Sequence, residues 1–132
     1  MQLQIVTTNR QVLDCQVEEV YAPGILGQIG ILPEHTTFLT VLDPGELRYR
    51  QNGRDHFLAV SGGVADVVRD VVTILADSAE PADEINVDRA RNAEKNATSA
   101  LAAALADTPE HEAARQALAR ARARLVAAGR VR

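Results

Sequence analysis

The chain has 132 residues, a formal charge of -4, one cysteine, two Phe, two Tyr and no Trp, which leaves room for one ordinary core plus an extension. Two full-sized domains and an intrachain disulfide are both excluded. Residues 1–85 carry five Arg against thirteen Asp and Glu, whereas residues 86–132 carry nine Lys and Arg against five acids, so the two parts stand at -8 and +4. The basic part points to an acidic partner or to a solvated helix face.

A lone Cys15 fits a reducing compartment. The N-terminus, MQLQIVTTNRQ, has no basic stretch followed by an apolar core, and no apolar run reaches the roughly eighteen residues of a membrane span. The chain therefore reads as soluble, without an export signal, and any membrane association comes through a partner.

From Leu3 to Asp77 the apolar residues come in short runs broken by Gly, Pro, Asn and Asp at intervals of about ten residues, an all-β pattern. Leu3 and Ile5 alternate with polar neighbours. Val12 to Tyr21 reads as a second run, with Leu13, Cys15 and Val17 on one side, closed by Ala22-Pro23-Gly24. Gly24 to His35 reads as a loop, its glycines and Pro33 interleaved with Ile25, Leu26, Ile29, Ile31 and Leu32. Leu39–Leu42 and Leu47–Tyr49 flank Asp43-Pro44-Gly45, a tight-turn sequence. Asn52-Gly53 is the strongest hairpin signal, because both residues tolerate the positive φ of a type I′ turn. Phe57–Val60 returns from it. After Ser61-Gly62-Gly63, the runs Val64–Val68 and Val71–Ala76 form another hairpin about Arg69-Asp70. A core of Val, Ile and Leu with so few aromatics suits a flattened sandwich or a barrel.

At Glu80-Pro81-Ala82-Asp83 the composition turns from β-branched to alanine-rich, which places a domain boundary between residues 84 and 85. Asn86 suits an N-cap, and Ala90, Ala93, Ala97, Leu101 and Ala104 follow the three-and-four spacing of a helix to about Ala106. Thr108 and Pro109 open a second helix that ends at a Gly129 cap. Its seam is Ala114, Leu118, Ala121, Leu125 and Ala128. The short break makes the helices an antiparallel pair. Burying Leu stabilises by about 1.5–3 kcal/mol and a methylene by about 0.8, so a seam of alanines closes softly. Two stable helices able to exchange docking surfaces are expected.

His35, His56 and His111 are far apart and Cys15 adds no cluster, so neither a zinc site nor a nucleophile is indicated. Ser61-Gly62-Gly63 lacks the Lys-Ser/Thr of a phosphate loop and suits a sheet corner. Arg120, Arg122 and Arg124 lack stacking aromatics, which argues against nucleic acid.

Several segments in order, Gly27-Gln28-Ile29-Gly30-Ile31-Leu32-Pro33-Glu34-His35, Pro44-Gly45, Ser61-Gly62-Gly63, Val72–Asp77 with Ala79-Glu80, and Ile85–Ala90, make the chain resemble the epsilon-subunit family of F-type ATP synthases over essentially its full length. The resemblance implies an α+β protein: an antiparallel β-sandwich of about ten strands over residues 1–84, then a two-helix regulatory hairpin over residues 85–132. It implies a non-catalytic rotor subunit of a proton-translocating enzyme, bound to the gamma subunit of the central stalk and to the membrane rotor ring. Its place would be peripheral, on the cytoplasmic face of an energy-transducing membrane such as the bacterial inner membrane. The hairpin would lie folded beside the sandwich or extend to the alpha and beta subunits of the catalytic head and inhibit ATP hydrolysis. Gln28, Glu34 and His35 fall where family members meet the rotor ring. Arg115, Arg120, Arg122 and Arg124 would face an acidic segment of the catalytic subunits.

Some members hold regulatory ATP through a motif of Ile or Leu, Asp, two variable residues, Arg and Ala. Here that stretch is Ile85-Asn86-Val87-Asp88-Arg89-Ala90, with Glu80 upstream and Arg120 and Arg124 on the second helix. Asn86 stands where the motif has Asp, and capping the helix accounts for Asn86 without a nucleotide. No other cofactor and no metal is implied. The alternative from a different class is a free-standing β-sandwich module for a small ligand such as a nucleotide.

Overall fold

The computed structural model describes residues 1–34 and 36–131. Ten strands come first: β1 (Gln2–Val6), β2 (Gln11–Gln16), β3 (Glu19–Gly24), β4 (Gly27–Ile31), β5 (Phe38–Val41), β6 (Gly45–Gln51), β7 (Arg54–Ser61), β8 (Val64–Val68), β9 (Val71–Leu75) and β10 (Ser78–Pro81). A 3₁₀ turn, Ala82–Glu84, leads into α1 (Val87–Ala103) and α2 (Pro109–Gly129). The strands form two five-stranded sheets, ordered β2-β1-β9-β8-β5 and β10-β7-β6-β3-β4. Among the described residues the strand pairs are antiparallel except β1 beside β9, which run parallel.

The core lies between the sheets and is built of branched aliphatics that alternate along each strand. Leu3, Ile5, Val67, Val72 and Ile74 come from the first sheet and Val20, Ile31, Leu47 and Val60 from the second, all essentially without solvent exposure. Each such burial stabilises by about 1.5–3 kcal/mol, which makes this layer the main stabilising feature of the fold. Both predicted hairpins form. Asn52 and Gly53 take φ of 53° and 74° between β6 and β7, and Arg69 and Asp70 take 51° and 65° between β8 and β9.

Four stretches differ from the sequence reading. Asp43-Pro44-Gly45 is a bend that carries the chain from β5 of the first sheet into β6 of the second rather than a tight turn. Val12–Tyr21 is two strands in different sheets: β2 pairs with β1, and β3 with β4 and β6. The inward positions change phase at the crossing, from Cys15 and Val17 to Val20 and Ala22, as the chain passes from one sheet to the other. Ala22-Pro23-Gly24 is the end of β3 rather than a turn, and residues 27–31 of the supposed loop are β4. Pro23 is tolerated in β3 because the pairing with β6 stops at Tyr21, and the Pro23 carbonyl instead accepts from the Asp43 N–H at 2.8 Å. Gly30 leaves room for the Tyr21 ring, which a Cβ would meet at 2.9 Å. The glycines that suggested a loop thus serve a flat hairpin whose turn is Ile25-Leu26.

The helices follow their caps at the start and depart from the prediction at the end. Asn86 Oδ1 accepts from the Arg89 N–H, and Thr108 Oγ1 from the His111 N–H, each at 3.1 Å. α1 stops at Ala103 rather than Ala106, and Asp107 turns the chain with φ 63°. Gly129 is the last residue of α2 rather than a left-handed cap, since Arg130 beyond it keeps right-handed φ and ψ of -73° and -21°. The predicted seam is buried at Ala114, Leu118, Ala121 and Ala128, with α1 packed alongside through Ala90 and Ala97. A second face of α2 is buried too. Ala123 and Ala127 pack on Ala59 of β7 and Ala82, with Phe57 and Ile85 around them. The burial of Leu58, Ala59, Val60 and Ser61 in succession follows, because core covers one side of β7 and the arm the other.

Ser61-Gly62-Gly63 carries the chain from the second sheet to the first, as expected of a sheet corner. Gly63 has φ 102°, and a Cβ there would strike the Leu75 carbonyl oxygen and Ala76 Cα. Gly63→Ala should therefore destabilise by about 2–3 kcal/mol. Urea unfolding followed by circular dichroism checks this; a loss below half a kcal/mol would contradict the assigned strain.

Candidate functional site

Where α1 leaves the sandwich, a cleft of about 270 Å³ opens between the sheet edge and the two helices, lined by Glu80, Asn86, Arg89, Ala90, Ala93 and Arg124. Five of these six are residues singled out from the sequence. Glu80 arrives on β10, Asn86, Arg89 and Ala90 on the first turn of α1, and Arg124 from α2. Ala93, one turn beyond Ala90, was missed as a site residue because it reads as seam. Arg124 Nε donates to Glu80 Oε1 at 2.7 Å across the cleft. Both side chains are about two-thirds buried, so this pair is partly sheltered from solvent. Arg89 is exposed, and the side-chain oxygen of Asn86 is committed to its own helix cap.

Arg120 does not line this cleft. It lies one turn before Arg124, lining an adjoining hollow of about 270 Å³ with Pro44, Ser61, Gly62, Asp77, Ser78, Gln116 and Arg124. Arg124 borders both spaces, so the two form one polar tract along the seam between arm and sandwich. At its floor the Ser61 and Ser78 hydroxyls share a hydrogen bond of 2.6 Å. The tract carries charge of both signs, the carboxylates of Glu80 and Asp77 beside the guanidinium groups of Arg89, Arg120 and Arg124, with Glu80 already bonded to Arg124.

The remaining α2 arginines are engaged locally. Arg122 Nε is 3.6 Å from Glu94 of α1. Arg115 grips Glu112 with Nε and Nη2 at 3.0 and 2.8 Å, and Nη2 lies 3.8 Å from Asp43. In the docked arm, therefore, the row at 115, 122 and 124 faces carboxylates of this chain. Sequence reasoning missed Arg130, which reaches Glu46 of β6 and the ring of Phe57. It stands beyond a glycine taken for a terminus, so the pattern gave no signal for it.

Gln28 is exposed on β4 and borders a hollow of about 340 Å³ with Glu46, Arg48, Asp55, Phe57 and Arg130. Glu34 is exposed with φ 66°, its N–H donating to the Asp70 carboxylate at 3.1 Å. His35 lies outside the described residues. Cys15 is half-buried, and burial pushes its thiol pKa up, which disfavours the thiolate a nucleophile requires. No helix among the described residues is long and apolar enough to cross a membrane.

The far side of the sandwich has a different character. Leu39, Val41, Val68 and Leu75 are 68%, 50%, 41% and 48% exposed on the first sheet. Val41 and Leu75 both stand opposite Val64 of β8, and Leu39 is beside Val41 on β5, so these make an apolar patch, with Val68 beyond Asp66 and Thr73.

Comparison with known proteins places these features in context. The family description "ATP synthase, Delta/Epsilon chain, beta-sandwich domain" matches residues 1–82, and "ATP synthase, Delta/Epsilon chain, long alpha-helix domain" matches residues 83–129. The chain is 45% identical over 128 residues to the ATP synthase epsilon chain of Anaeromyxobacter sp. (strain K), covering 97% of each. It is 46% identical over 125 residues to the ATP synthase epsilon chain of Nitratidesulfovibrio vulgaris (strain DP4), covering 95% of this chain and 92% of that one. Its backbone is similar to a chain in the cryo-EM structure of the Euglena gracilis mitochondrial ATP synthase (OSCP/F1/c-ring), with a TM-score of 0.79 at 25% identity, over 96% of this chain and 79% of that one. A chain of the Tetrahymena thermophila mitochondrial ATP synthase central stalk and c-ring shares the fold, with a TM-score of 0.68 at 18% identity over 97% and 96% of the two chains.

The Arg115 guanidinium, by its two hydrogen bonds, holds the Glu112 carboxyl down from 4.5 to about 2, with Gln116 donating a further bond. Because the folded value is the lower one, the stabilisation from this pair is complete above the ordinary carboxylate pKa and is lost as pH falls from 4.5 towards 2. Carboxyl-carbon NMR should show Glu112 titrating near 2 and returning to the ordinary range in Arg115→Gln. An unmoved titration in that variant would contradict the assignment.

Proposed function

Because the chain belongs to the ATP synthase delta/epsilon family, we propose that it is the non-catalytic epsilon subunit of an F-type, proton-translocating ATP synthase, coupling the central stalk to the membrane rotor ring. The observation that carries the coupling role is the two-sided surface of the sandwich. The second sheet is covered by the arm, while Leu39, Val41 and Leu75 leave an apolar patch on the first sheet suited to the gamma subunit. The ring contact is assigned to the polar Gln28, Glu34 and His35, which fall where family members meet the rotor ring. The complex would hold the subunit peripherally on the cytoplasmic face of the bacterial inner membrane. The working division is residues 1–84 as the stalk-binding unit and 85–132 as the regulatory unit.

The arm is the inhibitory element in this reading. Released from the sandwich, α2 would present Arg115, Arg120, Arg122 and Arg124 to acidic surfaces of the alpha and beta subunits, exchanging one set of carboxylates for another. The alanine faces support this: four buried methyl groups between α2 and the sandwich contribute about 3 kcal/mol at roughly 0.8 each, to which the partly buried Phe57 and Ile85 add, so the docked state is modestly favoured by apolar contact. The cleft at Glu80, Asn86, Arg89, Ala90 and Arg124, with Arg120 beside it, is the proposed place for regulatory ATP in the docked arm. Asn86 offers a neutral amide there, already used as a cap.

Deleting residues 86–132 and assaying the reconstituted enzyme tests the inhibitory role. ATP hydrolysis should rise several-fold while proton pumping driven by ATP is retained; unchanged hydrolysis removes the inhibitory role, and lost pumping removes the assumption that the sandwich alone couples. Calorimetry on the full chain tests the nucleotide. Micromolar ATP binding that disappears in Arg89→Ala establishes the cleft as a regulatory site, and absent binding in the parent chain leaves Asn86 and Arg89 as helix-capping and surface residues only.

A further inference from the structure

Two arginines of α2 and Arg130 just beyond it reach the sandwich at three points, and the three contacts are unequal. Arg115 approaches Asp43 at 3.8 Å but spends its guanidinium on Glu112 of its own helix. Arg124 meets Glu80 with a single 2.7 Å hydrogen bond at the sheet edge. Arg130 meets Glu46 with two, Nε to Oε2 and Nη2 to Oε1, both at 3.1 Å. Its guanidinium carbon also lies 5.0 Å from the centre of the Phe57 ring. Glu46 and Phe57 stand on the paired strands β6 and β7, where Glu46 is opposite Ala59 and Arg48 opposite Phe57. A planar cation is thus held edge-on by a carboxylate and face-on by a ring, two geometries that an arginine satisfies together.

The position of this contact matters as much as its shape. Arg130 follows the last turn of α2, where the helix dipole favours a cation and where the arm is not tethered by the α1–α2 turn. The apolar contact beneath α2 is made of Ala59, Ala82, Ala123 and Ala127 with Phe57 and Ile85. No buried Leu or Ile of α2 anchors that face, so polar contacts weigh heavily in deciding whether the arm stays down. Glu46 is 19% exposed at its side chain and Arg130 49%, so the pair is open enough for salt to weaken it.

We propose that Arg130 is an electrostatic lock on the docked arm, clamped by Glu46 and Phe57, so that ionic strength sets how often α2 leaves the sandwich. The lock is a property of the chain by itself. It therefore stands or falls separately from the inhibitory role, which needs the assembled enzyme.

Amide hydrogen exchange on the full-length chain, read by mass spectrometry, tests it with Arg130→Gln, Glu46→Gln, the double variant, and Arg122→Gln as a control whose partner, Glu94, lies on α1. Each lock substitution should speed exchange across residues 115–127 on the order of fivefold to thirtyfold, with strand residues unchanged. The double variant should exchange no faster than the faster single, because both remove the same contact. Raising NaCl to about 0.5 M should speed exchange of the arm in the parent chain and have several-fold less effect in the double variant. Arg122→Gln should leave arm exchange at the parent rate. Unchanged exchange in both singles, fully additive effects, equal salt response in parent and double variant, or strands loosening as much as the arm would each overturn the lock.

Discussion

The rest of the molecule depends on how α2 lies across the outer face of the second sheet. That contact is made of small side chains, Ala123 and Ala127 against Ala59 and Ala82, and it brings two layers close enough for arginines to reach strand carboxylates. Methyl groups permit close approach while contributing little per residue, so the helix can be well placed without being strongly held. Larger residues at these positions would deepen the apolar contact and lift α2 away from Glu46 and Glu80. The arrangement favours an arm whose docking is specified by charge and permitted by shape.

The sandwich beneath it is built on the opposite terms. Leu3, Ile5, Leu47, Ile74 and their neighbours fill the space between the sheets, and close-packed aliphatics of this size are costly to disturb. The chain thus pairs a rigid unit with a loosely held one. The uneven charge has the same division. The acidic sandwich supplies Asp43, Glu46 and Glu80, the basic arm supplies Arg115, Arg130 and Arg124, and the folded chain neutralises part of itself.

At the root of the arm the cleft is closed by contacts within the chain. Asn86 closes the first turn of α1 with a neutral amide, and Glu80 is matched to Arg124 within the chain. The groups facing the cleft are therefore largely satisfied by each other. Arg89 is the cation that stands exposed at its rim, which is why it decides the nucleotide question.

Much of this was legible in the sequence because it is local. The β-to-α change near Glu80, the turns at Asn52-Gly53 and Arg69-Asp70, the caps at Asn86 and Thr108, and the seam through Ala114, Leu118 and Ala121 each follow from neighbouring residues and the period of the element they sit in. The convergence of Glu80, Asn86, Arg89 and Arg124 was also accessible, through motif order and family resemblance. What only the tertiary structure decided is which surfaces meet. The division of Val12–Tyr21 between two sheets was hidden because only Glu18-Glu19, with no Gly or Pro, marks the change of phase between Val17 and Val20, and the strand at Gly27–Ile31 because glycine signals a turn whether or not a ring such as Tyr21 needs the space. The second apolar face of α2 and the partners of Arg130 lie outside any local pattern: alanine is equally at home exposed or buried on a helix, and an arginine beyond the last turn finds its carboxylate more than eighty residues away in the chain.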